Sequence, residues 1–216
     1  MQHKIVVFDL DETLGYFSKL GKIWQLVDKK NHNQQTFNTI LDLFPEFIRP
    51  FMITILEYIR AKKMNNTCYK VMIYTNNQSS FENWVYYIQH YFEYKLNYAL
   101  FDQIIRAFKI NGKRVELGRT STKKSYSDLI TCSNLPANIQ ICFIDDTYHN
   151  QMHTSKVVYV KVLQPYIYDL SNEIIRKRLQ IKGPISFPYI KKNKKEYEMD
   201  KIASKQMMSE IHKFFN

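Results

Sequence analysis

Short apolar runs of strand length alternate along this chain with longer amphipathic stretches, the pattern of a sheet built one strand at a time with helices between. Ile5-Val6-Val7-Phe8 predicts a strand over about 4–9, Val71-Met72-Ile73-Tyr74 a second over 70–75, Ile141-Cys142-Phe143-Ile144 a third over 140–145, and residues 157–162 a further one. These runs do not alternate with polar residues, so they read as strands covered on both faces, as in a parallel sheet. Between them, residues 50–63 carry apolar side chains at 51, 52, 55, 56 and 59, open on Pro50 and close on lysines, which predicts a helix. Residues 80–95 and 124–132 predict two more, the first opened by Ser79-Ser80-Phe81-Glu82 as a capping box. Asn111-Gly112, between 104–110 and 113–117, is a hairpin signal.

Two stretches read differently. Residues 15–39 are polar and irregular in pattern. Beyond about 165 the chain turns basic, with a helix over 174–181, a breaker region from Pro184 to Pro188, and a helix over 201–215 whose apolar face is Ile202, Met207, Met208, Ile211, Phe214 and Phe215. That face is expected to pack on the core.

Three of the strands end in chemistry. The first stops at Asp9-Leu10-Asp11-Glu12-Thr13, so two carboxylates one residue apart leave the C-terminal end of a buried strand, where open α/β sheets place their ligands. The spacing lets one carboxylate enter the crevice as a nucleophile and the other stand beside it as acid and base, with a divalent cation relieving their repulsion. The second strand ends in Thr75-Asn76-Asn77, a hydroxyl and amides ahead of a helix, which suits phosphate oxygens. The third ends in Asp145-Asp146, and Lys123-Lys124 precede a helix start from which one ammonium can reach the crevice.

Composition narrows the picture. At 216 residues and 45% hydrophobic content the chain can bury one good core. No N-terminal signal precedes the first strand and no apolar run approaches membrane-spanning length, so an intracellular protein, cytoplasmic or nuclear and neither secreted nor membrane-bound, is expected. Cys68, Cys132 and Cys142 have unrelated spacings and read as reduced thiols. His149 and His153 lie four apart, but nothing supplies the remaining ligands of a zinc site. The net charge of +11 would steer an acidic or phosphorylated partner, with nucleic acid one possibility.

In order along the chain, strand-Asp9-x-Asp11, strand-Thr75, Lys123-Lys124 before a helix, and strand-Asp145-Asp146 resemble the four-part signature of the haloacid dehalogenase (HAD) superfamily of phosphotransferases, over about residues 4–160. Asp9-Leu-Asp-Glu-Thr-Leu14 with Ile48-Arg49-Pro50-Phe51 further resembles the phosphatases of the RNA polymerase II C-terminal domain and their small relatives. Departures are Phe51 in place of a glycine, Asp145-Asp146 where Asp-Asn is common, and Ser127 where a lysine commonly precedes Asp128-Leu129.

The resemblance implies an α/β, HAD-like Rossmannoid three-layer sandwich with a central parallel sheet, capless or with a small flap at about 15–40. The catalytic domain would span 1–165 and a basic helical extension 166–216. Sixty-six residues separate Asp9 from Thr75 and forty-nine separate Thr75 from Lys124, which leaves little room for a cap and implies an open site for a macromolecular substrate. It further implies a Mg²⁺-dependent phosphatase working through an aspartyl-phosphate, most directly on phosphoserine or phosphothreonine in a protein. Asp9 would be the nucleophile, Asp11 the acid and base, and Thr75 and Lys124 the phosphate contacts. Thr13, Asn76 and Lys123 would assist in substrate binding, Lys123 also competing with Lys124. Asp9, Asp11 through its carbonyl, Asp145 and Asp146 would hold the metal. A polynucleotide 3′- or 5′-phosphatase and a non-catalytic binding module on the same fold are the alternatives.

Overall fold

The computed structural model describes residues 3–216. Its centre is a five-stranded parallel sheet of β1 (His3–Phe8), β2 (Lys70–Tyr74), β3 (Gln103–Ile105), β6 (Ile139–Asp145) and β7 (Val157–Lys161), in the order β3-β2-β1-β6-β7. Two further strands, β4 (Lys109–Ile110) and β5 (Lys113–Arg114), form a separate antiparallel hairpin. Strand pleating sorts each apolar run onto two faces. Val6 and Phe8 of β1, Val71 and Ile73 of β2, and Cys142 and Ile144 of β6 enter one core, while Ile5, Val7, Met72, Tyr74, Ile141 and Phe143 enter the other. Helices cover both: α1 (Phe17–Trp24), α2 (Gln34–Leu43), α3 (Met52–Met64), α4 (Trp84–Leu96), α6 (Asn172–Leu179) and α7 (Lys194–Phe215) supply the first core, α5 (Tyr126–Ser133) the second. The result is an α/β sandwich of three layers.

Several local readings differ from the sequence expectation. The 15–39 stretch is not irregular: α1 and α2 bury Phe17, Leu20, Ile23, Trp24, Phe37, Ile40 and Leu41 in the first core. Their signal was masked because each helix is short and an even mixture of apolar and polar residues. Trp24 packs between His32, Phe37 and Tyr87 and anchors this region. Gly15, just before α1, is required by close approach, since a Cβ there would lie 2.5 Å from the Phe47 carbonyl oxygen.

The capping box at Ser79–Glu82 does not form; α4 begins at Trp84, after Asn83 in the left-handed region at φ 60°. The hairpin does turn at Asn111-Gly112, both at positive φ, but its arms are two residues each. Ile104 and Ile105, expected in an arm, pair in parallel with β2 within Gln103–Ile105 instead, because sheet extension buries Ile105. At the C-terminal end, α7 starts earlier than its apolar pattern indicates, on a reciprocal cap between Asn193 and Glu196, and buries Ala203, Met207, Ile211, Phe214 and Phe215, leaving Ile202 exposed. No described helix is long and apolar enough to cross a membrane.

Phe51 precedes α3 at φ 61°, left-handed backbone that disfavours any residue with a Cβ, at the position where the resembled phosphatases carry glycine. The residue is 48% exposed, with the Lys205 ammonium over its ring at 5.9 Å. Phe51→Gly is therefore expected to stabilise the fold by about 1 kcal/mol, raising the thermal midpoint by about 2–4 °C. An unchanged or lower midpoint in a thermal melt would show that the ring packs more strongly than its exposure indicates.

Candidate active site

The order of the sheet creates the site. From β1 the chain proceeds outward through β2 and β3 on one side, then returns to β6 and β7 on the other, so β1 and β6 flank the point where the connections diverge. A crevice opens there beyond the C-terminal strand ends. Phe8 pairs with both Ile73 and Ile144, and the Asp9 amide donates to the Ile144 carbonyl at 2.9 Å. This register sets Asp9 beside Asp145 and brings Thr75, after β2, to the same edge. The crevice has a volume of about 250 Å³ and is lined by Asp9, Asp11, Thr75, Asn76, Asn77, Lys124, Asp145, Asp146 and His149, among others.

Lys124 is the hub. Ser125 caps α5 through its side chain, which accepts from the Asp128 amide at 3.1 Å, and Lys124 immediately before it points back into the crevice. Its ammonium donates to Asp9 Oδ1 and, at 2.7 Å, to Asp145 Oδ2. Lys123 is exposed and outside the crevice lining, so of the two adjacent lysines it is Lys124 that enters.

Other expected residues are placed less uniformly. Asp11 accepts from Asn77 Nδ2 at 2.7 Å, and the Asn77 backbone N–H donates to Thr75 Oγ1 at 2.9 Å, which leaves the threonine hydroxyl proton free for an incoming acceptor. Asn76 lines the crevice, but its side-chain oxygen is taken by Arg119 at 2.8 Å. Thr13 faces inward rather than toward the crevice: its hydroxyl donates to Asp146 Oδ1 at 3.0 Å and accepts from the Asp146 amide at 3.1 Å. It braces the β1 loop against the end of β6, so its part is to orient Asp146.

Four residues that the motif reading left without a role contribute. Asn77, the last member of the Thr75-Asn76-Asn77 run, holds Asp11. His149 Nε2 lies 3.3 Å from Asp145 Oδ2, while His153 stacks on Tyr159 away from it. Arg49, fully buried, donates to the carbonyls of Thr13, Glu12 and Gln164, and fixes the loop in which Glu12 takes a left-handed φ of 63°. Arg119, also fully buried, donates to the Thr75 and Arg106 carbonyls at 3.1 and 2.9 Å and to that of Thr122 at 3.1 Å, and stacks over the Tyr74 ring. Nothing in the neighbourhood of Arg119 in the chain marks it, since apart from Thr122 its partners come from two distant segments, at 75–76 and at 106.

The electrostatics are those of a site short of positive charge. Burial, reinforced by the charge of Asp145, pushes the Asp9 carboxyl up to about 7 despite Lys124 beside it. Burial also raises Asp11, against the Asn77 hydrogen bond, and raises Asp146 together with the Asp145 charge. Burial works the same way on Asp145, but Lys124 and His149 outweigh it and hold that carboxyl below its ordinary range. Lys124, pushed down by burial, is raised on balance by Asp9 and Asp145. Oxygens of Asp9, Asp145 and Asp146 lie within 4.8 Å of one another. Hard carboxylate oxygens clustered in this way could hold a metal ion.

A pH dependence follows for the metal-free protein. Asp9 is raised in the folded state, so its contribution to stability is fully present below the unfolded value of 3.8 and is lost as pH rises through about 7. Asp11 and Asp146 act in the same direction, whereas the lowered Asp145 acts only below the ordinary carboxylate range. The thermal midpoint in EDTA is expected to fall between pH 5.5 and pH 8, and excess Mg²⁺ to flatten that fall. A midpoint in EDTA that climbs over this range would contradict the assigned charge balance.

Comparison with known protein families, with curated proteins and with solved structures finds no match to this chain.

Proposed function

We propose that the protein is a Mg²⁺-dependent phosphatase of the HAD type, acting through an aspartyl-phosphate on phosphorylated serine or threonine in a protein. The observation that supports this most directly is the Lys124 ammonium between Asp9 and Asp145 at adjacent strand ends, with Asp11 and Thr75 on the same crevice.

In this reading Asp9 Oδ attacks phosphorus in line, forming the acyl phosphate as the bond to the leaving oxygen breaks. Asp11 gives its proton to that oxygen, a role helped by burial, which raises its carboxyl. Asp11 then takes a proton from the water that attacks phosphorus, the bond to Asp9 breaks, and inorganic phosphate leaves. Lys124 and the Thr75 hydroxyl meet the phosphate oxygens, where negative charge persists throughout. Asp9, Asp145 and Asp146, with the Asp11 carbonyl, would hold Mg²⁺, which would supply positive charge against the repulsion between these carboxylates and a phosphate dianion. Asn77 keeps Asp11 oriented.

The test is hydrolysis of para-nitrophenyl phosphate with Mg²⁺, by the wild type and by Asp9→Asn. Turnover is expected to vanish in EDTA and to fall by at least about a thousandfold in Asp9→Asn, as when a nucleophile is removed. Folded wild-type protein without turnover in Mg²⁺ would overturn the proposal. The net charge of +11 favours a second reading, a polynucleotide phosphatase, and a 3′- or 5′-phosphorylated oligonucleotide assayed beside a phosphoserine peptide separates the two.

A further inference from the structure

A groove of about 260 Å³ runs from Asp11 and Asn77 between α1 and the segment that leads into α4. On the α1 side it is lined by Ser18, Lys22 and Gln25, spaced four and three apart and therefore on one face of the helix, opposite the buried Leu20, Ile23 and Trp24. Phe81 forms part of the other wall. Gly21 lies in the lining beside it, where a Cβ would make ordinary contact with the Phe81 and Trp84 rings at 3.6 Å.

We propose that this groove seats the polypeptide on the leaving-group side of a phosphoprotein substrate, and that Lys22 selects an acidic residue next to the phosphorylated one. The inference rests on the phosphatase reading, in which Asp11 protonates the leaving oxygen. The body attached to that oxygen must then lie against Asp11, and this groove opens from Asp11. Its lining suits a peptide: hydroxyl and amide groups at Ser18, Gln25 and Ser79 match a backbone's donors and acceptors, and aromatic edges match side-chain carbon. Away from Asp11, its charge suits a single carboxylate. Lys22 is the one cation in the described lining, is exposed, and has no hydrogen-bond or ion-pair partner among the described residues. A polynucleotide, with a phosphate at every step, is matched by grooves that carry several cations along their length.

The experiment compares two phosphoserine peptides, with aspartate or with lysine flanking the phosphoserine, on the wild type and on Lys22→Glu, with para-nitrophenyl phosphate and a 3′-phosphorylated oligonucleotide alongside. The wild type is expected to favour the aspartate peptide by about three- to fivefold in kcat/KM, mostly through KM, the scale of one exposed ion pair. Lys22→Glu is expected to reverse that preference and to leave para-nitrophenyl phosphate hydrolysis unchanged. Equal peptide ratios in both proteins, with that hydrolysis intact, would overturn the groove assignment and leave the phosphatase standing. Preferential hydrolysis of the oligonucleotide, weakening steeply with salt, would overturn it in favour of nucleic acid. Absence of all turnover would remove the phosphatase reading, and with it the leaving-group argument on which the groove assignment depends.

Discussion

Lys124→Met is expected to abolish detectable turnover and to destabilise the metal-free protein at pH 8 by about 3 kcal/mol, the scale of removing one partner from a buried ion pair. The ammonium is 2% exposed in its side chain and is the contact between Asp9 and Asp145. Methionine keeps most of the volume and removes the charge, so the two carboxylates are left facing one another without compensation. Protonating one of them relieves the repulsion, so the loss is expected to be smaller at pH 5.5 than at pH 8. Mg²⁺ should restore more stability to the variant than to the wild type, because in the variant it replaces a missing charge. Thermal melts at the two pH values, with and without Mg²⁺, test this. An equal loss at both, unaffected by the metal, would assign Lys124 a packing role only.

Arg119→Met is expected to cost about 3–4 kcal/mol, lowering the thermal midpoint by about 6–16 °C, and to lower kcat by about a hundredfold under conditions where the variant is still folded. The guanidinium bonds the Thr75 and Arg106 carbonyls, the Asn76 side chain and the Thr122 carbonyl, so one buried group ties the loop after β2 to the loop that carries Lys124. Removing it leaves buried carbonyls without donors and frees Thr75 and Lys124 to shift relative to each other. Arg119→Lys should recover little, since an ammonium cannot reproduce the planar fork that reaches acceptors in three segments. A loss of stability with unchanged kcat would show that the two loops are held by other contacts.

What was legible in the chain is what local rules govern. The unbroken apolar runs at 5–8, 71–74 and 141–144 are each buried in the sheet, because a run without polar interruption leaves no face for solvent. The residues that follow them, Asp9, Thr75 and Asp145, share one crevice because parallel strands point the same way and so deliver their C-terminal ends to one edge. Strand length and strand ending are properties of a few consecutive residues.

The amphipathic helices were partly legible. α3 stands close to its expected span because its apolar spacing is regular, while α1 and α2 were missed because eight or ten residues give a periodicity too little length to show. Phe51 went against its local preference: its left-handed backbone is imposed by the tertiary path into α3.

By itself, then, the sequence determined the parallel sheet, the order of chemical groups along it, and the convergence of two aspartate pairs and a threonine on one edge. Tertiary structure alone decided that Lys124 rather than Lys123 enters the crevice, that Asn77 holds Asp11, that Thr13 turns inward to Asp146, and that Arg119 locks two loops together. Each of those outcomes involves a contact between segments tens of residues apart. Such contacts depend on where the strand register and the helix packing bring two loops to rest, and that position is set by the whole core rather than by the residues that meet there.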